Sequence, residues 1–228
     1  MTESTNSAGV IPGSHFSPWY PPIAYIVRHG ETELNAANCY RGWENPLLND
    51  EGMRAGEAIA NYFSYERLGR VVSSDLDRAQ QTAQYIMNTG TVACPYLSTD
   101  FNLRPWGIAK FAGLEKNAAN QKKLDYYIQH PDEQIPDGES LNGFRSRFED
   151  AVQSYLSVPY EGLPTVIVTH TSNICALNNM IFGESDDPEV NDLVEPGGIL
   201  AVYLKEDGKL HMVPRLGQAQ AEVEPEAS

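Results

Sequence analysis

Short apolar runs alternate along the chain with longer stretches in which apolar residues recur every three or four positions. The short runs predict buried strands, and the longer stretches predict helices with one buried face. The predicted strands are 23–28, 70–73, 91–97, 165–169, 199–204 and 210–213. The predicted helices follow caps at Asn49, at Ser74 or Asp75 and at Ser140, or lie near 116–129 and 172–182. This order predicts an α/β fold, a three-layer sandwich with helices on both faces of a mostly parallel central sheet.

Polar residues mark where two of these elements begin and end. Asn49 is followed by Asp50 and Glu51, whose charges suit the positive end of a helix dipole, so Asn49 is the predicted cap. Residues 206–209 contain an Asp-Gly pair between two apolar runs. That pair predicts a tight hairpin turn between the last two strands.

The two ends of the chain differ in composition from its middle. Residues 1–22 are rich in Ser, Pro and Gly and lack periodicity, which predicts a flexible leader. Residues 217–228 combine glutamates with small residues and predict a solvated acidic tail. Residues 23–216 between them carry no internal repeat, and their number fits a single globular domain, which we therefore expect there.

The overall composition is that of an ordinary globular protein, with 41% hydrophobic and 21% charged residues. No apolar run approaches the roughly 20 residues that cross a bilayer. The N-terminus lacks the basic and apolar regions of a signal peptide. Three scattered cysteines fit a reducing compartment better than a disulfide framework. We therefore expect a cytoplasmic protein.

The charge balance restricts the partners. There are 31 acidic and 16 basic residues, which gives a formal net charge of −15. Such a surface disfavours nucleic acid and anionic membranes, so neither is an expected partner. A phosphorylated small molecule must then be attracted by a local group of arginines. The position of each arginine is therefore informative.

Two histidines follow predicted strands directly, His29 after 23–28 and His170 after 165–169. The carboxyl ends of strands in open α/β sheets are where ligands and catalytic groups lie. Arg28 precedes His29, and Arg78 falls in the first turn of a predicted helix whose free amides would also attract an anion. A neutral imidazole attacks phosphorus, and positioned arginines stabilise the charge of the transition state. These residues predict phosphoryl chemistry, and no metal-ligand spacing or cofactor motif accompanies them.

Three motifs in this order resemble a known family. Arg28-His29-Gly30-Glu31-Thr32-x-x-Asn35 resembles the signature of the histidine phosphatase superfamily, in its phosphoglycerate mutase-like branch. Residues 73–83 resemble its second motif and 168–170 its third, and the likeness runs from about 23 to 213. The resemblance implies a phosphoglycerate mutase-like fold with His29 as the phosphorylated nucleophile. It implies a phosphate pocket of Arg28, Arg78 and His170, and a substrate rim of Asn35, Arg41 and Gly42.

One segment departs from the family pattern. Members usually carry a proton-donating glutamate in a Leu-x-Glu segment, whereas Pro105 occupies the expected acid position here. Loss of a general acid costs about 10²–10⁴-fold with poor leaving groups. Asp137 or Glu139 could serve instead, the substrate could have a leaving group that needs no acid, or the site could only bind phosphate. Arg104, in the same segment, is either a contact for substrate charge or a surface residue.

The sequence thus predicts a metal-independent phosphatase that hydrolyses a small phosphorylated substrate through a phosphohistidine. Mutase-type phosphoryl transfer is the enzymatic alternative, and a phosphate- or phosphopeptide-binding module is the alternative without catalysis. A homodimer through the late hairpin is compatible with the pattern and is not required by it.

Overall fold

The computed structural model describes residues 21–183 and 194–216. The strands are β1 (Ala24–Arg28), β2 (Arg70–Ser74), β3 (Ser98–Asp100), β4 (Thr165–Thr169), β5 (Ile199–Leu204) and β6 (Leu210–Leu216). The helices are α1 (Glu33–Ala36), α2 (Asp50–Phe63), α3 (Asp77–Met87), α4 (Ala118–Gln129), α5 (Leu141–Ser157) and α6 (Thr171–Phe182). Short 3₁₀ turns at Phe101–Leu103 and Ala109–Phe111 lie between β3 and α4.

The six strands form one mixed sheet in the order β3-β2-β4-β1-β5-β6. The strands from β3 to β1 are parallel to their neighbours, and β5 and β6 are antiparallel to theirs. The parallel part confirms the predicted mostly parallel sheet. Its crossovers are the helical segments, as parallel pairs require.

Helices cover both faces of the sheet, and the central strands are therefore buried on both sides. In β1, Ala24 and Ile26 pack into one core cluster, while Tyr25 and Val27 pack into another on the opposite face. The first cluster includes apolar residues of α5 and α6, and the second includes those of α2 and α3. The predicted three-layer sandwich is therefore confirmed.

The carboxyl ends of the three central parallel strands meet at one edge of the sheet. Arg28 of β1 lies opposite Thr169 of β4, and Ser73 of β2 lies opposite Val168. The loops that follow β1, β2 and β4 consequently start side by side. At this edge, the segments that follow β1, β2 and β4 are therefore close in space although they are distant in sequence.

Several predicted boundaries are confirmed at the level of hydrogen bonds. Asn49 caps α2 by accepting from the Gly52 amide at 2.9 Å, and Ser140 caps α5 by accepting from the Gly143 amide at 3.1 Å. The predicted hairpin between β5 and β6 is closed by a bond from the Lys205 amide to the Lys209 carbonyl. Capping oxygens of this kind satisfy amides that the helix itself leaves unbonded.

Two predicted boundaries are wrong. Neither Ser74 nor Asp75 caps α3, because β2 continues to Ser74 and the cap position falls on Leu76 without a side-chain bond. The predicted strand at 91–97 is absent from the sheet, and the strand beside β2 is Ser98–Asp100. In the 91–97 segment only an isolated bridge from Val92 to Leu68 forms, and Pro95 lacks the amide that a ladder needs.

The predicted leader, 1–22, and tail, 217–228, lie almost wholly outside the described residues, so these domain limits stay predictions. Among the described residues, we find no helix with the length and apolar character that a membrane span requires.

Two glycines let the loop after β1 approach the first turn of α2. A Cβ built on Gly52 would lie 2.1 Å from the Glu31 carbonyl oxygen, and one on Gly30 would lie 2.6 Å from the Gly52 carbonyl oxygen. Both contacts are with backbone atoms, which have little freedom to move aside. The loop that carries His29 is therefore packed directly against α2.

We predict that Gly52→Ala destabilises the protein. Alanine in an exposed helix would gain about 0.5–1 kcal/mol over glycine, but backbone overlap in a packed site costs about 1–3 kcal/mol. The net change in the free energy of unfolding is therefore unfavourable. Denaturant titration measures it, with Glu57→Ala on the exposed side of the same helix as the control. A variant as stable as the wild type would contradict the close approach.

Candidate active site

His29 lies at the end of β1, buried to within 1% of its surface. Its backbone amide bonds the Thr169 carbonyl of β4 at 3.0 Å, which continues the strand pairing through this residue. In the ring, Nδ1 lies 2.6 Å from the Gly30 carbonyl oxygen. A carbonyl only accepts, so Nδ1 carries the proton and donates it. This bond leaves Nε2 with a free lone pair.

The unprotonated Nε2 of His29 faces the guanidinium of Arg78, whose Nε donates to it at 3.3 Å. Burial and the charges of Arg78, Arg28 and Arg41 lower the pKa of His29 well below its ordinary value. The imidazole is therefore neutral at physiological pH. A neutral ring with a fixed tautomer is the form that attacks phosphorus.

Arg78 is fully buried in the first turn of α3 and is held by backbone carbonyls. Its Nη1 donates to the Glu44 carbonyl at 2.6 Å and its Nη2 to the Gly42 carbonyl at 3.1 Å. Burial, together with the charges of Arg41 and Arg104, lowers its pKa to about 9, so it stays charged at neutral pH. The loop that contains Gly42 and Glu44 thus positions the guanidinium without neutralising it.

Two amides at the start of α3 already have side-chain partners. The Asp77 amide donates to the Asn45 side chain at 2.8 Å, and the Leu76 amide donates to the Ser74 hydroxyl at 3.4 Å. The group that α3 brings into contact with His29 is the Arg78 side chain.

His170 occupies the cap position of α6, and its ring centroid lies 5.0 Å from that of His29. Both of its ring nitrogens are buried and have no hydrogen-bond partner among the described residues. The hydroxyl of Thr171, the first residue of α6, is in the same state. Buried polar groups rarely remain unsatisfied in native proteins, so these atoms are candidates for contacts with a bound polar group. Sequence reasoning missed Thr171, and its only signal was the position after His170.

Arg28 closes the side of the pocket next to β5. Its Nη1 donates to the Val194 carbonyl at 2.7 Å, and its backbone carbonyl accepts from the Gly197 amide at 3.1 Å. Gly197 has a φ of +85°, a conformation that favours glycine. The segment Pro196-Gly197-Gly198 therefore lies directly against Arg28 and His29.

The three predicted rim residues have different surroundings. Asn35 uses its side-chain oxygen in a capping box with Thr32, which holds the short helix α1. Gly42 has a φ of +48° and presents its carbonyl to Arg78. Arg41 is partly buried, and its charge contributes to the lowered pKa of both His29 and His170. Of the three, Arg41 is therefore the residue whose charge lowers the pKa of both histidines.

Arg104 is an anchored residue rather than a loose surface charge. Its Nε and Nη2 bind the two carboxylate oxygens of Asp75 at 2.7 and 2.8 Å. Its guanidinium lies 5.3 Å from the centre of the Trp43 ring and 4.8 Å from that of Phe101. Such a bidentate pair between aromatic rings fixes the guanidinium plane.

Segment 103–107, where the family pattern places the acid, is held through its carbonyl oxygens. The Pro105 carbonyl accepts from Trp43 Nε1 and from Arg147 Nη2, each at 2.9 Å. The Leu103 carbonyl accepts from the Thr169 hydroxyl at 3.0 Å and from Asn173 at 3.3 Å. This segment is well packed against the neighbouring elements.

The two candidate acids lie in different environments. Asp137 is exposed, with a φ of +60°, and no hydrogen bond or ion pair joins its carboxylate to another described residue. Glu139 binds Arg147 with both oxygens, at 2.6 and 2.9 Å, and also accepts from the Gly107 amide at 2.7 Å. Glu139 therefore ties segment 103–107 to α5, and these contacts favour a structural role.

Sequence reasoning also missed two residues that position the site. The Thr82 hydroxyl accepts from the Gly30 amide at 3.0 Å and donates to the Arg78 carbonyl at 2.8 Å. It thus joins the nucleophile loop to the helix that carries Arg78. Arg147 holds segment 103–107 from α5. Thr82 lies within the second family motif, but nothing in the pattern distinguished Arg147 from the exposed arginines.

Nothing in the described part of the chain gathers three His, Cys, Asp or Glu side chains as a metal site would. The cations that face the histidines are arginines. The arrangement is suited to binding a phosphoryl group and attacking it with Nε2 of His29.

Comparison with known families gives a direct match. Residues 24–208 match the model of the histidine phosphatase superfamily, branch 1. Two curated relatives, from Serratia proteamaculans (strain 568) and Proteus mirabilis (strain HI4320), are named probable phosphoglycerate mutase GpmB. Each is 29% identical over 163 residues, which cover 70% of this chain and 74% of the relative.

Solved structures share the fold at lower identity. A protein described as mycobacterial hydrolase 1 has a TM-score of 0.71 and 19% identity, over 86% of this chain and 98% of that one. A phosphoglycerate mutase from Bacillus anthracis (strain Sterne) has a TM-score of 0.70 and 18% identity, over 86% and 93% of the two chains. A mycobacterial glucosyl-3-phosphoglycerate phosphatase, solved with VO3, has a TM-score of 0.66 and 20% identity, over 86% and 98%. These neighbours confirm the phosphoglycerate mutase-like fold.

We predict that His29 stays neutral, with its proton on Nδ1, when the pH falls below the ordinary histidine pKa of about 6.5. The reason is the lowered pKa of the buried ring and its bond to Gly30. Nitrogen NMR of labelled histidines measures both points, with His29→Asn to assign the signal and the urea-unfolded chain as the control. The unfolded chain then takes up more protons below this pH, so stability falls as pH falls. A ring that protonates together with the unfolded chain would contradict this assignment.

Proposed function

Because the chain belongs to branch 1 of the histidine phosphatase superfamily, we propose that it is a phosphatase that hydrolyses a small phosphorylated substrate through a phosphohistidine. The observation that carries the proposal is the state of His29. Its Nδ1 is held by the Gly30 carbonyl and its free Nε2 faces Arg78, as an attacking imidazole requires.

In the first step, Nε2 of His29 attacks phosphorus in line with the leaving oxygen. Arg28, Arg78 and His170 surround the oxygens of the transferring phosphoryl group, and the Thr171 hydroxyl supplies a further donor. These groups are held before substrate arrives, so little reorganisation is needed as charge develops.

In the second step, water attacks the phosphorus of the phosphohistidine. The bond between phosphorus and Nε2 breaks and its electron pair returns to the ring. The Gly30 carbonyl keeps the proton on Nδ1 throughout, so the ring is regenerated in its starting tautomer. This cycle needs no metal ion.

The local charge supports an anionic substrate on an otherwise acidic protein. Arg78 has no carboxylate partner among the described residues, and the charge of Arg41 reaches both histidines. A phosphate monoester carries about −1.5 to −2 charges near pH 7. The site is thus cationic where the net charge of −15 would otherwise repel such a ligand.

Mutase activity is the second candidate, because the curated relatives are named probable phosphoglycerate mutases. A mutase returns the phosphoryl group from the histidine to a second hydroxyl instead of water. Incubation with 3-phosphoglycerate distinguishes the two activities. A phosphatase releases inorganic phosphate, whereas a mutase forms 2-phosphoglycerate with little phosphate released.

We predict that His29→Ala abolishes release of para-nitrophenol from para-nitrophenyl phosphate, because His29 is the described histidine whose Nε2 is bonded to Arg78 and whose tautomer is fixed by a carbonyl. Loss of a nucleophile that works with its partners as a unit costs about 10⁶-fold in kcat in well-studied hydrolases. The matched control is His130→Ala, which removes an exposed histidine on α4's C-terminal side.

The same experiment also identifies the intermediate. Wild-type enzyme quenched in alkali during turnover should carry a phosphoryl group on the peptide that contains His29, detected by mass spectrometry. Turnover by His29→Ala at the wild-type rate would refute the proposal. Phosphate binding by the wild type without any turnover would favour the binding module.

A further inference from the structure

The two carboxylates that contact segment 103–107, those of Asp75 and Glu139, are already bound to arginines. Asp75 gives both oxygens to Arg104, and Glu139 gives both to Arg147. A bidentate ion pair is made with the ionised carboxylate, so neither side chain carries a proton to donate. Pro105 has no proton to offer. Within the described ranges, this wall of the pocket therefore presents arginines rather than an acid.

Arg41 differs from these paired arginines. No carboxylate among the described residues binds it, and its one hydrogen bond there, from Nη1 to the Cys39 carbonyl, is long at 3.3 Å. The side chain is partly buried, and this burial lowers its pKa. A buried cation without a counterion is stabilised when an anion binds next to it.

The backbone on both sides of Arg41 is fixed. The Tyr40 amide bonds the Leu114 carbonyl at 2.8 Å on one side. On the other side, the Gly42 and Glu44 carbonyls hold the Arg78 guanidinium. Arg41 therefore extends from a loop that is anchored to the guanidinium next to the nucleophile.

The charge of Arg41 acts on both His29 and His170, yet no hydrogen bond joins it to either ring in the described structure. The geometric link is the next residue, because the Gly42 carbonyl lies 3.1 Å from the Arg78 guanidinium that contacts Nε2 of His29. Arg41 therefore belongs to the loop that borders the nucleophile, and its side chain, unlike that of Arg78, makes no hydrogen bond to His29 in the described structure.

We propose that Arg41 is a catalytic residue that stabilises the leaving oxygen as an anion, in the role that a protonated carboxylate would otherwise fill. The substrates are then phosphoryl compounds with weakly basic leaving groups, namely aryl, enol or acyl phosphates and phosphoanhydrides. This inference rests on the proposed function, because it requires attack by His29.

The step balances without a proton donor. The bond between phosphorus and Nε2 forms, the bond between phosphorus and the leaving oxygen breaks, and that oxygen keeps the electron pair as an anion beside Arg41. Water then adds to phosphorus, the bond to Nε2 breaks, and both protons of the water stay with the released phosphate. The ring returns to its neutral form with the proton still on Nδ1.

The test compares substrates whose leaving groups become steadily more basic: acetyl phosphate, para-nitrophenyl phosphate, phenyl phosphate and glycerol phosphate. The quantity to measure is kcat/KM, because it reports the steps up to departure of the leaving group even when hydrolysis of the phosphohistidine is slow. The wild type should show a steep fall in kcat/KM along the series, since no proton compensates for the basicity of the leaving oxygen. A flat series would reveal a general acid and overturn the inference.

The variant is Arg41→Gln. With phenyl phosphate its kcat/KM should fall about 10²–10³-fold, the size of effect seen when a donor to a developing oxyanion is removed. With acetyl phosphate and para-nitrophenyl phosphate the loss should be clearly smaller, so the dependence on leaving-group basicity steepens. Arg41→Lys should recover part of the loss. The charge-matched control is Arg54→Gln, an exposed arginine of α2 paired with Glu51.

The outcomes separate this inference from the proposed function. An equal loss on all four substrates would make Arg41 a binding group for the phosphoryl oxygens and overturn the leaving-group role. A steeper dependence in Asp137→Asn or Glu139→Gln than in the wild type would also contradict it, since that variant would then have lost a general acid. Phosphohistidine trapped in Arg41→Gln with acetyl phosphate shows a folded, reactive site. Absence of turnover by the wild type on every substrate would instead remove the proposed function.

Discussion

The bond between His29 Nδ1 and the Gly30 carbonyl, 2.6 Å long, is the contact on which the chemistry of the site depends. It decides which ring nitrogen carries the proton, and so it leaves Nε2 unprotonated, as the proposed attack on phosphorus requires. Two further sets of contacts hold the groups around this bond in place. Arg78 is held by two carbonyls so that its Nε meets Nε2, and Thr82 joins the Gly30 amide to the same helix. The nucleophile and its arginine are therefore positioned as one unit.

This unit depends on burial in two ways. The low polarity around His29 keeps the ring neutral, as the proposed attack requires, and it would strengthen every interaction between the arginines and a phosphoryl group bound there. The same burial leaves the nitrogens of His170 and the Thr171 hydroxyl without partners in the described structure. Their unsatisfied state costs stability, as unpaired buried polar groups do, and it is relieved when an anion binds.

The sequence was sufficient for the fold, and it indicated residues that the structure brings together around His29, because both follow from local patterns. Strand-length apolar runs and capping residues identified β1, β4, α2 and α5, and the polar residues at the strand ends identified His29 and His170. The sequence was insufficient for features that depend on contacts between residues distant in the chain. A single glutamate in 137–139 looked like a free acid until Arg147, eight residues later, was seen to hold it. The start of α3 and the position of β3 likewise depended on pairing with β2 and not on any local signal.

Segment 103–107 is held by its carbonyl oxygens, through Trp43, Arg147, Thr169 and Asn173. The side chains of Leu103, Arg104 and Trp106 add buried packing and an ion pair, whereas the printed hydrogen bonds of Pro105 use its carbonyl oxygen. A change of side chain at position 105 therefore leaves the hydrogen bonds of His29 and Arg78 in place. In the proposed mechanism, the groups that would activate phosphorus and the segment that would meet the leaving group belong to different parts of the chain.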